Sequence, residues 1–150
     1  AFVLFIKRVM ETSSIKVIED ELQRAEDPES QSVYEKVNSS VQIYEIDGPF
    51  FFGIANKFDE LANESKKKKP SVRIIRMRKV PFIDSTGLKN LRSLCDKSRK
   101  EKIQIILSGV TDEVNQVLVK SGFADELGRE FIFDHISKAL DKANELTSNE

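Results

Sequence analysis

Residues 79–88, KVPFIDSTGL, are the most informative part of the sequence, because a β-rich run breaks there at a proline and a helix-patterned run follows. Asp84 or Ser85 can cap that helix, because a short polar side chain accepts a hydrogen bond from a free backbone N–H of the first turn. Gly87 then lies within the first turn. The stretch therefore predicts a strand, a polar loop and a helix in succession.

The same loop has a second interpretation as a binding or modification site. The hydroxyl of Ser85 would lie at the positive end of the helix dipole, where backbone N–H groups can hold an anion or a phosphoryl group. A phosphate on Ser85 would add about 1.5 to 2 negative charges beside Asp84 and would repel a docked partner. Simple capping is the competing interpretation. The candidate phosphorylation, anion or nucleotide site is Asp84, Ser85, Thr86 and Gly87.

On both sides of this loop, short β-rich runs alternate with helix-patterned runs, as in a mixed or parallel sheet covered by helices. Predicted strands are 33–37, 41–46, 72–78 and 103–108, with a weaker one at 131–133. Each predicted helix carries apolar residues at helical spacing. These stripes are Ile54, Phe58, Leu61 and Ala62; Leu88, Leu91, Leu94 and Cys95; Val114, Val117 and Leu118; and Ile136, Ala139, Leu140 and Ala143.

Three consecutive phenylalanines follow the predicted strand 41–46, directly after a Gly-Pro break. Three adjacent side chains cannot all face one side of a regular element, so at least one points away from the main core. Core packing beneath the next helix is one interpretation, and an apolar contact surface for another domain is the alternative. The candidate interaction surface is Pro49, Phe50, Phe51 and Phe52.

The first 32 residues have a different character from the rest of the chain. The apolar run at 2–6 is followed by Lys7 and Arg8, which resembles the end of a membrane-spanning helix on its positive, cytoplasmic side. A segment that packs on the domain is the alternative for 1–10. Residues 11–32 are polar and acidic and predict a linker. Its first half is expected to have some helix, from Ile15, Val17, Ile18 and Leu22.

Composition excludes several functional classes. The 24 Lys and Arg residues nearly balance the 25 Asp and Glu residues, so no strong positive field attracts nucleic acid. The only cysteine, Cys95, cannot form an internal disulfide and falls on an apolar stripe. The only histidine, His135, stands at the predicted start of the last helix and reads as a surface or cap residue. Neither a metal site nor a catalytic triad is therefore expected.

The lysine run at 66–69, followed by Pro70, has two interpretations. Cations at the negative end of a helix and a proline beyond it are typical of helix termination. The alternative is a patch that attracts lipid or nucleotide, for which four lysines are at the lower limit.

Four segments of the chain resemble STAS domains of SulP anion transporters. Residues 41–52, VQIYEIDGPFFF, are similar to their strand and Gly-Pro-Leu/Phe-Phe-Phe opening, and residues 80–88 to their Asp-x-Ser/Thr-Gly loop. Residues 105–110 and 118–123 resemble the next strand and a helix followed by Gly-Phe. The resemblance implies an α/β fold in which a central mixed β-sheet of four to five strands is flanked by about four α-helices. It implies no catalysis and no cofactor, although some relatives are thought to bind nucleotides.

We accordingly expect 1–10 to end a last transmembrane helix, 11–32 to be a linker, 33–146 to be the STAS domain and 147–150 a C-terminal tail. The resemblance implies a soluble regulatory domain at the cytoplasmic face of the inner (plasma) membrane. Its expected partners are the transmembrane domain of the same polypeptide and a regulatory protein, with no nucleic acid.

Two rival functions stay open on the sequence alone. A freestanding anti-sigma-factor antagonist would be switched by phosphorylation at Ser85, the position that is modified in such relatives. A nucleotide-binding enzyme fragment would need a glycine-rich phosphate loop after its first strand, and residues 48–50, Gly-Pro-Phe, do not form one.

Overall fold

The computed structural model describes residues 14–17, 40–48 and 69–148. Within these ranges one sheet has the strand order β1-β2-β3-β4. Strands β2, β3 and β4 run parallel, whereas β1 is antiparallel to β2. The sheet is therefore mixed, as predicted, and the total number of strands in the whole chain stays a prediction. The strands are β1 Ser14–Val17, β2 Val41–Asp47, β3 Val72–Lys79 and β4 Gln104–Ser108.

Helices follow the strands and cover the sheet, which confirms the predicted α/β class. The described helices are α1 Ser85–Lys100, α2 Asp112–Lys120, α3 Phe123–Leu127 and α4 Ile136–Thr147, with a 3₁₀ helix at Arg129–Phe131. The stripes predicted for α1 and α4 are buried, and in α2 Val114 and Leu118 are buried while Val117 is half-buried. Helix α4 extends one residue into the predicted tail, and the stripe at 54–62 lies outside the described residues.

Strand β1 overturns one expectation, because the predicted linker was expected to have some helix in its first half. Residues 14–17 instead pair with β2, from Ser14 opposite Asp47 to Val17 opposite Tyr44. The tetrapeptide Ser-Ile-Lys-Val alternates polar and apolar residues, and two of its members are β-branched, which favours a strand. A helix of four residues would also be too short to offset the free-energy cost of its nucleation, whereas the edge of β2 provides hydrogen-bond partners for the backbone.

The strands predicted at 41–46, 72–78 and 103–108 are confirmed, and the one at 33–37 lies outside the described residues. The weak strand at 131–133 is largely wrong. Residues Arg129–Phe131 form a 3₁₀ helix, and only a single parallel bridge joins Ile132 to Leu107. The N–H of Phe133 donates to the carbonyl oxygen of Leu107 at 2.9 Å, so the segment touches β4 without forming a ladder.

The two faces of the sheet have separate cores. Strand alternation places Tyr44 and Ile46 of β2 on the face covered by α1, α2 and α3. It places Val41 and Ile43 on the face covered by α4. The central strand β3 is buried on both faces, which explains its continuous run of apolar residues at 74–75. Each helix that contacts the sheet therefore packs against an apolar surface on one of its two faces.

Candidate functional site

The carboxyl ends of the parallel strands meet at one edge of the sheet, which we call the carboxyl edge. Strand β3 ends there at Lys79 and leads through residues 80–84 into α1. Strand β4 ends there at Ser108 and leads through residues 109–111 into α2. Because parallel strands run in one direction, both helices begin at the carboxyl edge. In such α/β sheets ligands and partners commonly bind at this edge.

Asp84 is the residue that caps α1, which decides between the two predicted capping residues. Its backbone is extended, with φ of −93° and ψ of 179°, and its Oδ1 accepts a hydrogen bond from the N–H of Gly87 at 2.6 Å. The Asp84 carbonyl oxygen accepts from the N–H of Leu88 at 2.9 Å. A carboxylate at this position also stabilises the helix dipole.

Ser85 and Thr86 form the first turn of α1, and both are exposed, whereas Gly87 is buried. The four residues lie together at the start of α1, with two hydroxyl-bearing side chains facing solvent. The carboxylate of Asp84 already takes the Gly87 N–H and would repel a free anion at the same place. The geometry consequently suits a hydroxyl that is modified, or a partner that docks, better than a freely bound anion.

An ion-pair cluster at the carboxyl edge was not predicted from the sequence. Glu45 Oε1 lies 2.9 Å from Arg78 Nε and 3.7 Å from Lys79 Nζ. The Glu45 side chain is 11% exposed, whereas those of Arg78 and Lys79 are 50% and 46% exposed. A register shift between Glu45 and Asp47 lets two successive residues of β3 reach one carboxylate. Two cations share one carboxylate, so the cluster adds positive charge to this edge.

An exposed aromatic side chain also lies beside the loop. Phe82 is 46% exposed, and Pro81 next to it is exposed as well. The predicted surface at Pro49, Phe50, Phe51 and Phe52 lies outside the described residues. Among the described residues, the exposed large apolar side chain at the carboxyl edge is therefore Phe82. It could not be predicted from the sequence, because one phenylalanine after a proline has no periodic signal.

The remaining titratable candidates do not form a chemical centre. His135 caps α4, as its Nδ1 accepts a hydrogen bond from the N–H of Ser137 at 3.1 Å. Cys95 is buried on α1, and burial raises the pKa of its thiol to about 12. Among the residues that the structure describes, no cluster of three or more His, Cys, Asp or Glu side chains is arranged to hold a metal ion.

Removing the Asp84 cap tests how firmly the loop is held. We expect Asp84→Ala to lower the free energy of unfolding by about 1 kcal/mol, because the Gly87 N–H loses its acceptor. Asp84→Asn is the control, since an amide oxygen can accept the same bond and should keep most of the stability. Urea denaturation of the three proteins measures the difference, and equal losses in the two variants would mean that the carboxylate charge matters more than the capping bond.

Residues 32–143, which contain strands β2, β3 and β4 of this mixed sheet and the helix-capping Asp-Ser-Thr-Gly loop, match the family model for the STAS domain. The chain belongs to the STAS domain family. No helix among the described residues combines the length and apolar character needed to cross a bilayer.

The relatives place the chain within a branch of this family. It is 29% identical over 137 residues to the protein named "Putative sulfate transporter YvdB" of Bacillus subtilis (strain 168), covering 90% of this chain but 24% of that protein. The chain thus spans about a quarter of that relative's length.

The solved structures that are similar to the chain include two from bacteria. A sulfate transporter family protein from Wolinella succinogenes superposes with a TM-score of 0.72 at 41% identity, covering 82% of this chain and 99% of that one. The SulP transporter STAS domain from Vibrio cholerae gives a TM-score of 0.64 at 29% identity, covering 73% and 84%. The chain is accordingly homologous to SulP STAS domains. The matches describe a STAS domain and transporters and point to no enzyme family.

Proposed function

We propose that this chain is the regulatory domain of a SulP-type secondary transporter for sulfate or a related anion, at the cytoplasmic face of the inner (plasma) membrane. The similarity to transporter proteins supports this proposal. The domain would bind and regulate without catalysing a reaction. Its partner would be the transmembrane domain of the same polypeptide, and a regulatory protein would be a second partner.

The direction of β1 supports a particular orientation. Ser14, the first residue of β1, lies opposite Asp47, the last residue of β2, so the chain enters the sheet at the carboxyl edge. If residues 1–10 end a transmembrane helix, the four residues from position 10 to position 14 span at most about 14 Å. The carboxyl edge, with the loop at 84–87, would then face the membrane-embedded part of the transporter.

The observation that carries the proposed site of regulation is the exposed Ser85 hydroxyl at the start of a 16-residue helix, on the edge where the chain enters. A phosphate on Ser85 would bring about two negative charges to a surface that already contains Asp84. Contacts made by Phe82 and by the cations Arg78 and Lys79 would be weakened or redirected. We propose Asp84, Ser85, Thr86 and Gly87 as this switch, and Pro49, Phe50, Phe51 and Phe52 as a second contact surface.

The freestanding anti-sigma-factor antagonist is the weaker alternative. It would use the same loop and the same hydroxyl, so the loop does not distinguish the two functions. The relatives named above are transporters or their STAS domains, and this favours the transporter. Nucleotide binding has no separate support from the described residues.

A charge placed on Ser85 within the complete transporter tests the proposal. We expect Ser85→Glu to change the rate of sulfate uptake by at least about fivefold, the lower end of ordinary coupling between sites. Ser85→Ala should keep uptake near the unmodified level, since the unphosphorylated loop carries no added charge. Uptake of radiolabelled sulfate into cells or proteoliposomes is the measurement.

Ser93→Glu is the matched control, because Ser93 is exposed on α1 two turns away from the loop. Both variants add one carboxylate to the same helix, so a general effect of charge or stability would appear in both. If Ser85→Glu and Ser93→Glu transport sulfate equally fast, the loop is not the regulatory surface and the proposal fails.

A further inference from the structure

A small cavity lies far from the Asp84 loop, where β4 begins. Its volume is about 200 Å³, and it is bounded by the end of α1, the start of β4 and α3. The lining combines apolar side chains with a guanidinium and an amide. The lining residues are Cys95, Arg99, Ile103, Gln104, Ile105 and Leu127.

The backbone at this edge of β4 offers a donor without an acceptor. The N–H of Gln104 donates to the carbonyl oxygen of Ser71 at 3.0 Å, so Gln104 faces β3. The backbone N–H and C=O groups of successive residues point to opposite edges of a strand. Those of Ile105 therefore point away from β3. The side-chain amide of Gln104 donates to the Ile105 carbonyl oxygen at 2.9 Å. No partner for the Ile105 N–H is found among the described residues.

This arrangement does not suit an added β-strand, which needs a donor and an acceptor in alternation. The outward carbonyl of Ile105 is already occupied by Gln104, so only the N–H is left. Further along, the carbonyl oxygen of Leu107 is taken by the N–H of Phe133. A ligand group that fits must accept hydrogen bonds and need donate none, as a carboxylate or a phosphate does.

The charge around the cavity agrees with such a ligand. Within the described part of the chain, Arg99 makes only long contacts, from Nη2 to the carbonyl oxygen of Glu126 at 3.5 Å and from Nη1 to Asp96 Oδ1 at 3.7 Å. A charge-assisted hydrogen bond is typically about 2.7–2.9 Å, so the guanidinium can still take a closer partner. The Glu126 carboxylate is paired with Arg92 Nε at 3.0 Å. Residues 96–102 add four cations against two carboxylates.

The thiol at the wall of the cavity does not oppose an anion. Burial raises the pKa of Cys95 to about 12, so the group stays uncharged at neutral pH. The nearby turn is also unusual, because Lys102 has a φ of 61°, a conformation that glycine or asparagine adopts more readily. The turn that borders the cavity therefore contains a lysine in a backbone conformation that is strained for this residue.

We propose that this cavity binds an oxyanion, the carboxylate or phosphate group of a small ligand, through the Arg99 guanidinium and the Ile105 N–H. The volume suits the anionic group itself, since sites for whole drug-sized molecules usually exceed about 300 Å³. The site lies at the start of β4, whereas the Asp84 loop follows the end of β3. It is therefore independent of the switch proposed above.

Titration of the 150-residue chain with inorganic phosphate and with sodium acetate, at low ionic strength and constant chloride, tests this proposal. The measurement is the backbone amide spectrum, in which Ile105 N–H is expected to show one of the largest shifts. A shift with both anions supports a general oxyanion site, and a shift with phosphate alone supports a phosphoryl ligand. An Ile105 signal that moves with neither anion overturns the proposal.

Arg99→Gln is expected to raise the dissociation constant at least about tenfold, as a charged hydrogen-bond partner is lost. The Arg99 side chain is 65% exposed, so the change should leave the fold intact, which the same spectrum checks. Lys138→Gln, on α4, removes a surface cation elsewhere and is the control. Equal weakening in both variants would show general charge screening and would contradict the site.

Discussion

Replacing Gly109 by alanine is expected to lower the free energy of unfolding by about 3 kcal/mol or more. Gly109 follows β4 at the carboxyl edge and has a φ of 63°. A Cβ at this position would lie 2.8 Å from both the Cβ and the backbone N of Arg78, which is closer than real Cβ atoms approach. Backbone cannot move aside cheaply, so the loops that lead into α1 and α2 would be forced apart. Urea denaturation followed by circular dichroism measures the loss.

Gly122→Ala provides the control for Gly109→Ala. Gly122 also has a positive φ, of 81°, but a Cβ there would meet nothing within 4 Å. Only the backbone strain of a left-handed alanine remains, and we expect a loss of about 1 kcal/mol. Equal losses of unfolding free energy at the two glycines would contradict this prediction. They would mean that Arg78 shifts to accommodate the new methyl group at little cost.

Leu91→Ala is expected to cost about 3 kcal/mol of unfolding free energy. Leu91 is 0% exposed and packs in the core between α1 and the sheet, among residues of β3, β4 and α2. Its truncation leaves a cavity that rigid neighbouring strands cannot fill. Helix α1 carries the Asp84 loop at its start, so amide hydrogen exchange of residues 85–88 should also accelerate. Denaturation and exchange measurements check the two effects separately.

Leu146→Ala is the matched control, because Leu146 is only partly buried against the opposite core, near the end of α4. The same four-carbon side chain is shortened there with less loss of buried area, and we expect a cost near 1 kcal/mol. If Leu146→Ala destabilises the protein as much as Leu91→Ala, the core beneath α1 contributes no more to the free energy of unfolding than the partly buried end of α4.

The sequence predicts the elements that have a strong period. The stripes in α1, α2 and α4 and the three parallel strands recur in the structure, because burial on one face or on both leaves a regular pattern of apolar residues. The capping role of Asp84 was also predictable, since a short polar residue before an apolar stripe can accept a hydrogen bond from a backbone N–H only a few residues further on. These features depend on residues close together in the chain.

Features that depend on distant neighbours escaped prediction. Strand β1 needs the edge of β2, thirty residues away, and its four residues are too few to show a period by themselves. The pairing of Glu45 with Arg78 and Lys79 depends on a register shift, which no sequence pattern predicts. The Ile105 carbonyl oxygen is occupied because the Gln104 side chain folds back onto its own strand, and this contact also has no sequence signal.

The antiparallel pairing of β1 also determines how the domain would bear mechanical load. Its ladder with β2 runs from Ser14 opposite Asp47 to Val17 opposite Tyr44, with hydrogen bonds perpendicular to the strands. A pull on residue 13 along the strand axis would load these bonds together in shear. A pull across the sheet would instead peel them apart one at a time, starting at Ser14. A displacement of residue 13 along the axis of β1 would therefore move the whole sheet as one body.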